Sequence, residues 1–297
     1  MAVTERPQLG WIEAEGAKTR VEPSRRKTAL RAAYVLSGLI AGLMVAASAA
    51  GLLVDGIYPD GAWAREALRG GDLVSLAIAA PMLIVSLILS MRGSRRAQVA
   101  WIAMLGYSVY NFAYYTFGAA FNDIFLAHIA LLSMSVFALA CALPSLDISG
   151  IASRFRGSRA ARWIGGFLIV VGIGQGALWL FLVTRFAVTG EVLNDIPVDG
   201  QHLVFALDLS LLVPTLILAG VLLFRRTAVG FVLAPAVAVF GAVYQVNLMM
   251  AGVFQDAAGV AGVKAFPLEG IVLTAAFVLA SAVLLLSSGR RAGVSID

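Results

Sequence analysis

Long runs of apolar residues alternate along the chain with short polar intervals rich in arginine, aspartate and glycine. Eight such runs stand at about 32–54, 73–91, 97–121, 124–143, 163–184, 203–224, 227–254 and 271–288. An α-helix rises about 1.5 Å per residue, so each run is long enough to cross roughly 30 Å of hydrocarbon. The pattern predicts an all-α fold, a polytopic transmembrane helical bundle of about eight spans in one membrane domain over 32–288. The flanking segments, 1–31 and 289–297, are polar. The first mixes Glu, Lys, Arg, Pro and Gly with few large apolar side chains and buries too little surface to offset the entropy of ordering, so it reads as a disordered tail.

Composition narrows the environment. With 60% hydrophobic and only 13% charged residues, the chain is too apolar for a water-facing surface, and a lipid bilayer is its natural solvent. The formal charge is +5, but the basic residues sit in short clusters between apolar runs. No basic patch interleaved with aromatics forms, and so no nucleic-acid partner is expected. Cys141 is the only cysteine, which excludes an internal disulfide and a thiolate metal cage.

Lys and Arg are retained on the cytoplasmic side during insertion. With the N-terminus inside, 18 of the 22 basic residues fall on that side, among them Arg92, Arg95, Arg96, Arg154, Arg156, Arg159, Arg162, Arg225, Arg226, Arg290 and Arg291. Only Arg65, Arg69, Arg185 and Lys264 remain outside, where Asp55, Asp60, Glu66, Glu191, Asp195, Asp199 and Asp256 accompany them. Both termini are therefore expected in the cytoplasm of a multi-pass membrane protein. A rival arrangement follows from Ala47-Ser48-Ala49, which resembles a signal-peptidase site; cleavage there leaves seven spans. Against it, the apolar run continues through Leu52, Leu53 and Val54 to spanning length.

An internal repeat is suggested by Asp72, Pro81, Arg95-Arg96, Gly106 and Tyr110-Asn111, which run in the same order as Asp208, Pro214, Arg225-Arg226, Gly241 and Tyr244-Gln245. Four spans separate the two sets, so the copies share orientation in a parallel 4+4 arrangement.

Polar side chains inside a bilayer cost free energy unless they find partners, which makes their depth informative. Counted from the outer ends at about 1.5 Å per residue, His128 lies roughly 6 Å deep, Asp208 roughly 8 Å, Gln245 roughly 14 Å and Asn111 roughly 15 Å. These depths predict a polar pocket opening outward. Tyr107, Tyr110, Asn111 and Tyr114 fall at i, i+3, i+4 and i+7, a single helical stripe that Gly118 and Phe121 extend. The stripe reads either as an aromatic wall for a partly apolar ligand or as a helix–helix interface. His128 is a candidate haem or metal ligand or proton relay, with His202 as a conceivable axial partner; its bland alternative is a buried, hydrogen-bonded histidine. Asp208 is the acid most clearly inside an apolar run. It is a candidate cation or proton site, or a partner for Arg185. The candidate ligand-binding set is thus Tyr107, Tyr110, Asn111, Tyr114, His128, Asp208, Tyr244 and Gln245; Asp72, Asp123 and Glu269 read as span ends reached by water.

Gly172-Ile173-Gly174-Gln175-Gly176-Ala177 matches the letters of a dinucleotide-binding turn, but lies inside an apolar run where no strand precedes it. Gly172/Gly176 and Gly38/Gly42 instead form G-x-x-x-G pairs that permit close helix packing, with Gln175 bonding across the contact. Pro81, Pro214 and Pro235 predict kinks. The segment Tyr110-Asn111-x-x-Tyr114-x-x-Gly118-x-x-Phe121-Asn122, with Arg92-Gly93-Ser94 before it, resembles an uncharacterised group of bacterial multi-span membrane proteins. The resemblance covers about a quarter of the chain and implies the membrane fold and a bacterial origin, without an activity or cofactor. Three functions remain open: a carrier or binding protein for a small organic or lipid-like ligand; an intramembrane enzyme acting on a lipid or quinone; and a scaffold subunit with a membrane-protein partner.

Overall fold

The computed structural model describes residues 23–155, 160–191 and 198–286. Most of the expected N-terminal tail, the C-terminal tail, Arg156, Arg159 and Asp195 lie outside the described residues. All regular structure among the described residues is helical: α1 (Pro23–Leu53), α2 (Ala62–Met91), α3 (Arg95–Gly118), α4 (Phe125–Ala142), a short α5 (Ile148–Phe155), α6 (Ala161–Thr189), α7 (Val198–Phe224), α8 (Gly230–Ala257) and α9 (Leu268–Leu286). Seven of them are long and apolar enough to cross a membrane, which makes a lipid bilayer their environment. The remaining long helix, α3, has spanning length over its 24 residues but carries Arg95, Arg96 and the tyrosine stripe. It tolerates that polarity because 14 of its residues are buried against other helices, so α3 and α8 form the inside of the bundle.

In the first half α1 packs on α2 and α4, and α3 on α2 and α4; in the second, α7 packs on α6 and α8, and α8 on α9. The halves meet through α8, which lies against the first part of α2 and against α3. Two of these contacts are glycine-mediated. A Cβ at Gly70 meets backbone of Met250 and Ala251 at 2.6–2.7 Å, and one at Gly165 meets the Gly220 carbonyl at 2.9 Å. Gly172 and Gly176 press on Leu216, Ile217 and Val213 in the same α6–α7 seam, as their spacing predicts. Gly38 and Gly42 do not act this way, since nothing lies within 4 Å of a Cβ at either. Ala47 and Ser48 are buried in the bundle as part of α1.

A local part of the expected repeat recurs between α2 and α7, in a different register. A constant offset of 133 residues relates Pro81 to Pro214 and Arg92 to Arg225. Each proline follows a π turn, Ser75–Ala79 in α2 and Asp208–Leu212 in α7, and each π turn leads into a 12-residue helix, Ala80–Met91 or Val213–Phe224. The wider turn absorbs a proline ring that has no N–H to donate. The hydrogen bonds that close the next turn then repeat one for one. Arg92 N donates to Ile88 O, Gly93 N to Ser90 O and Ser94 N to Leu89 O; Arg225 N donates to Val221 O, Arg226 N to Leu223 O and Thr227 N to Leu222 O. In this register Asp208 corresponds to Ser75 rather than to Asp72, Tyr244 to Asn111 rather than to Tyr110, and Arg225-Arg226 to Arg92-Gly93 rather than to Arg95-Arg96. Gly106 and Gly241 are not equivalent. Matching like residues slips the pairing because the repeat is held by backbone hydrogen bonds and not by side-chain identity.

The two halves differ in how their outer helices meet. α1 packs closely along α4, whereas α6 and α9 touch through Phe167 and Phe277, with ring centroids 5.2 Å apart, and are separated farther along by a cleft of about 810 Å³.

Candidate functional site

Asp208 opens the π turn of α7 and is fully buried. Its carboxylate gathers four donors from three helices. Tyr110 of α3 donates to Oδ1, and Tyr244 of α8 lies 3.5 Å from the same oxygen and 3.3 Å from the Tyr110 hydroxyl. From α6, Gln175 Nε2 and Trp179 Nε1 donate to Oδ2 at 2.7 and 2.8 Å. All four donors are neutral, and among the described residues no cation pairs with Asp208. Arg185, the expected partner, binds Glu191 at 2.6 Å instead. An ionised carboxylate is an acceptor-only group, and four N–H or O–H donors aimed at it satisfy most of its lone pairs without cancelling its charge.

Next to this ring lies a neutral one. Asn247 Nδ2 donates to Tyr107 Oη at 2.7 Å and to Asn111 Oδ1 at 3.0 Å, and Asn111 Nδ2 faces Ser75 Oγ at 3.4 Å. Tyr107 and Asn111 are thereby enclosed at the meeting of α2, α3 and α8. The tyrosine stripe is an interhelical seam over these residues and not the wall of an open pocket, because α8 packs along it. Tyr114 continues the stripe, partly buried, in edge contact with Tyr115. Phe121, at its end, is exposed, with its ring beside that of Phe125.

The open space lies on the other side of Asp208. The 810 Å³ cleft between α6, α8 and α9 has Gln175, Trp179 and Gln245 on its floor, Val170, Val171, Leu178, Leu248 and Leu273 among its walls, and Gln255, Lys264 and Glu269 toward its mouth. Gln175 and Trp179 thus stand between the cleft and the buried carboxylate. A second, apolar cavity of about 230 Å³ borders Tyr110 and Thr215 on the side of α3 and α4.

His128 belongs to a separate cluster. It is buried between Tyr58, Phe112 and Tyr115, with Tyr115 nearest at a centroid distance of 4.9 Å, and its Nδ1 has no hydrogen-bond partner among the described residues. His202 is exposed on α7, outside the aromatic cluster that encloses His128. Beside the His128 cluster, Tyr58 donates to Asp72 Oδ2 at 2.7 Å. Burial, reinforced by the Asp72 carboxylate, pushes the Tyr58 phenol well above the usual tyrosine range. Asp72 is not a water-reached span end: α2 begins at Ala62, and Asp72 is 2% exposed inside it. Above it, a pocket of about 490 Å³ is lined by Gly51, Tyr58 and Arg65, Glu66 and Arg69. Glu66 there binds Arg65 at 3.0 Å and Arg69 at 3.3 Å. Among the described residues no three His, Cys, Asp or Glu side chains converge as a metal site.

Compared with family models, curated proteins and solved structures, the chain matches none. The site therefore stands on its own geometry.

Of the eight expected site residues, Tyr110, Asp208 and Tyr244 share one hydrogen-bonded ring, Tyr107 and Asn111 share the neighbouring one, and Gln245 faces the cleft; Tyr114 and His128 stand apart. Trp179, Asn247, Tyr58 and Tyr115 were not expected. Trp179 has one sequence signal: it lies four residues after Gln175, on the same helical face.

Proposed function

We propose that the protein is a carrier or binding protein for a small amphipathic organic ligand, taken into the α6–α9 cleft from the extracytoplasmic side of the bacterial inner membrane. The observation that carries this reading is the cleft itself. A floor of Gln175, Trp179 and Gln245, backed by an intramembrane carboxylate, lies between apolar walls, and its volume falls within the range of ligand sites, about 300–1,000 Å³. Orientation rests on the clustering of Arg92, Arg95, Arg96, Arg225 and Arg226 at the turns on the opposite end from the cleft's mouth, with both termini on the arginine-rich side. The bacterial setting rests on the resemblance of the Tyr110–Asn122 segment. The π turns and prolines of α2 and α7 supply places where a span can bend. An enzymatic reading centred on His128 has less support, because that imidazole borders none of the three cavities described.

Gly174 gives the test. It lines the cleft, and a Cβ there meets nothing within 4 Å, so Gly174→Trp fills the space without disturbing the bundle. Native mass spectrometry of protein extracted in lipid nanodiscs is expected to find a bound non-protein mass on the wild type that the variant lacks, at an unchanged unfolding temperature. Equal occupancy of both, or bare wild-type protein, overturns the reading.

A further inference from the structure

We infer that the ligand class is the organic cation with an apolar body, and that Asp208 is its counter-ion. The inference rests on the cleft reading above and adds the sign of the ligand's charge.

Formal charges around the cleft are few. Lys264 and Glu269 toward the mouth offset each other, and every other lining side chain is neutral. The remaining charge is that of Asp208, one layer beneath the floor. In a bilayer interior a carboxylate without a cation costs free energy even when hydrogen-bonded. An anionic ligand in the cleft adds to that cost, and a neutral ligand leaves it unchanged. A cation removes it.

The layer between ligand and carboxylate is two side chains deep in chemistry but one side chain thick. Gln175 Nε2 and Trp179 Nε1 both donate to Oδ2, and both side chains are only partly buried and line the cleft. An ammonium arriving from the cleft supplies N–H donors to Oδ2 in their place, so Gln175 swings toward the open space without leaving the carboxylate unsatisfied, whereas a cation without N–H is held across Gln175 and Trp179 by charge alone. Trp179 keeps a role after it yields its bond. Its ring, held against Phe205 at a centroid distance of 4.5 Å, offers a cation–π face, and indole is the best of the aromatic side chains for this. Tyr110 and Tyr244 remain on Oδ1 and fix the carboxylate from behind. On the far side of the ring no cation approaches among the described residues: α3 presents Tyr110, α8 presents Tyr244, and the nearest elements of the first half present Tyr107, Asn111 and Ser75.

The repeat adds an independent argument. At the position equivalent to Asp208 the first half has Ser75, and there the helices corresponding to α6 and α9, namely α1 and α4, pack closely together. At this position of the repeat the carboxylate accompanies the open cleft and the neutral side chain the closed one; the buried carboxylate of the first half, Asp72, lies one turn earlier and is bonded to Tyr58.

Tetraphenylphosphonium and tetraphenylborate have the same shape and opposite charge, and serve as probes. Equilibrium dialysis against protein in neutral-lipid nanodiscs, corrected by empty nanodiscs, is expected to find saturable binding of the phosphonium and none of the borate. Asp208→Asn should weaken phosphonium binding about tenfold or more, with Asp208→Glu restoring most of it. Wild-type protein that binds the two ions equally, prefers the borate, or binds no phosphonium saturably overturns the inference, whether or not the Asn variant folds. Failure of the cleft reading is seen separately. Saturable binding of either ion that survives Gly174→Trp places the ion elsewhere, whereas equal binding of both that is lost in Gly174→Trp leaves the cleft and removes only the charge preference.

Discussion

Ser75 and Asp208 occupy the same place in the two halves of the bundle. Each opens a five-residue π turn, and each meets the side chain 36 positions later, Asn111 at 3.4 Å and Tyr244 at 3.5 Å. The same backbone frame therefore holds a neutral amide–hydroxyl pair in one half and a carboxylate–phenol pair in the other.

Truncating the carboxylate leaves buried donors without an acceptor. Asp208→Ala should destabilise the protein by about 3 kcal/mol or more, since each unsatisfied buried donor costs about 1–3 kcal/mol. Asp208→Asn keeps one oxygen for Tyr110 and Tyr244 and should cost roughly half as much. Thermal unfolding in nanodiscs followed by far-ultraviolet circular dichroism checks the order; equal midpoints for the two variants contradict the hydrogen-bonded ring.

Close helix contacts separate two groups of glycines. Gly70→Ala drives a Cβ into the backbone of α8, a contact that has no side chain to rotate away, and should cost about 1–3 kcal/mol. Gly38→Ala meets open space and should be neutral or stabilise by up to about 1 kcal/mol through helix propensity. Comparing their unfolding midpoints tests the seam between α2 and α8; a tolerated Gly70→Ala is incompatible with it.

The turn after α2 sets a third expectation. Gly93 has φ 84°, a left-handed conformation that its counterpart Arg226 also adopts, at φ 55°. Gly93→Ala should cost about 1 kcal/mol, and Gly93→Val distinctly more because a β-branched side chain crowds that region. Insertion yield in membranes and unfolding midpoint should fall in the order Gly, Ala, Val.

Tyr58 and Asp72 form the buried pair of the first half. Tyr58→Phe removes the 2.7 Å bond and should destabilise by about 1.5–3 kcal/mol, the worth of a hydrogen bond to a charged group. Gly51→Ala should act on the same pair, because a Cβ there collides with Asp72 Oδ2 and lies 2.7 Å from Tyr58 Oη. A double-mutant cycle reads the coupling: additive effects show that Gly51 does not reserve space for the pair.

The membrane spans are legible in the sequence because hydrocarbon thickness demands long apolar runs, and Asp208, Tyr110 and Tyr244 are legible because a polar residue in such a run stands out. Asp72 was misplaced for the complementary reason. The first turns of α2 carry Arg65, Glu66 and Arg69, so the helix begins well before its apolar signal does. Asn247, which joins Tyr107 to Asn111, has no signal of its own beyond being an amide in an apolar run. The cleft left no trace either, because it depends on α6 and α9 diverging after Phe167 and Phe277, which no periodicity encodes. The repeat was visible in outline but not in register, since its equivalences pair unlike residues, Ser with Asp, Asn with Tyr and Gly with Arg.

The splayed α6 and α9 leave Val170, Leu178 and Leu248 at the cleft's flank exposed at the lipid-facing surface. A molecule reaching that flank comes from among the acyl chains, where its abundance is set by its oil–water partition coefficient. Two compounds with the same intrinsic fit would then differ in apparent potency by the ratio of their partition coefficients, and a dose expressed per litre of buffer would rank them differently from one expressed per mole of lipid.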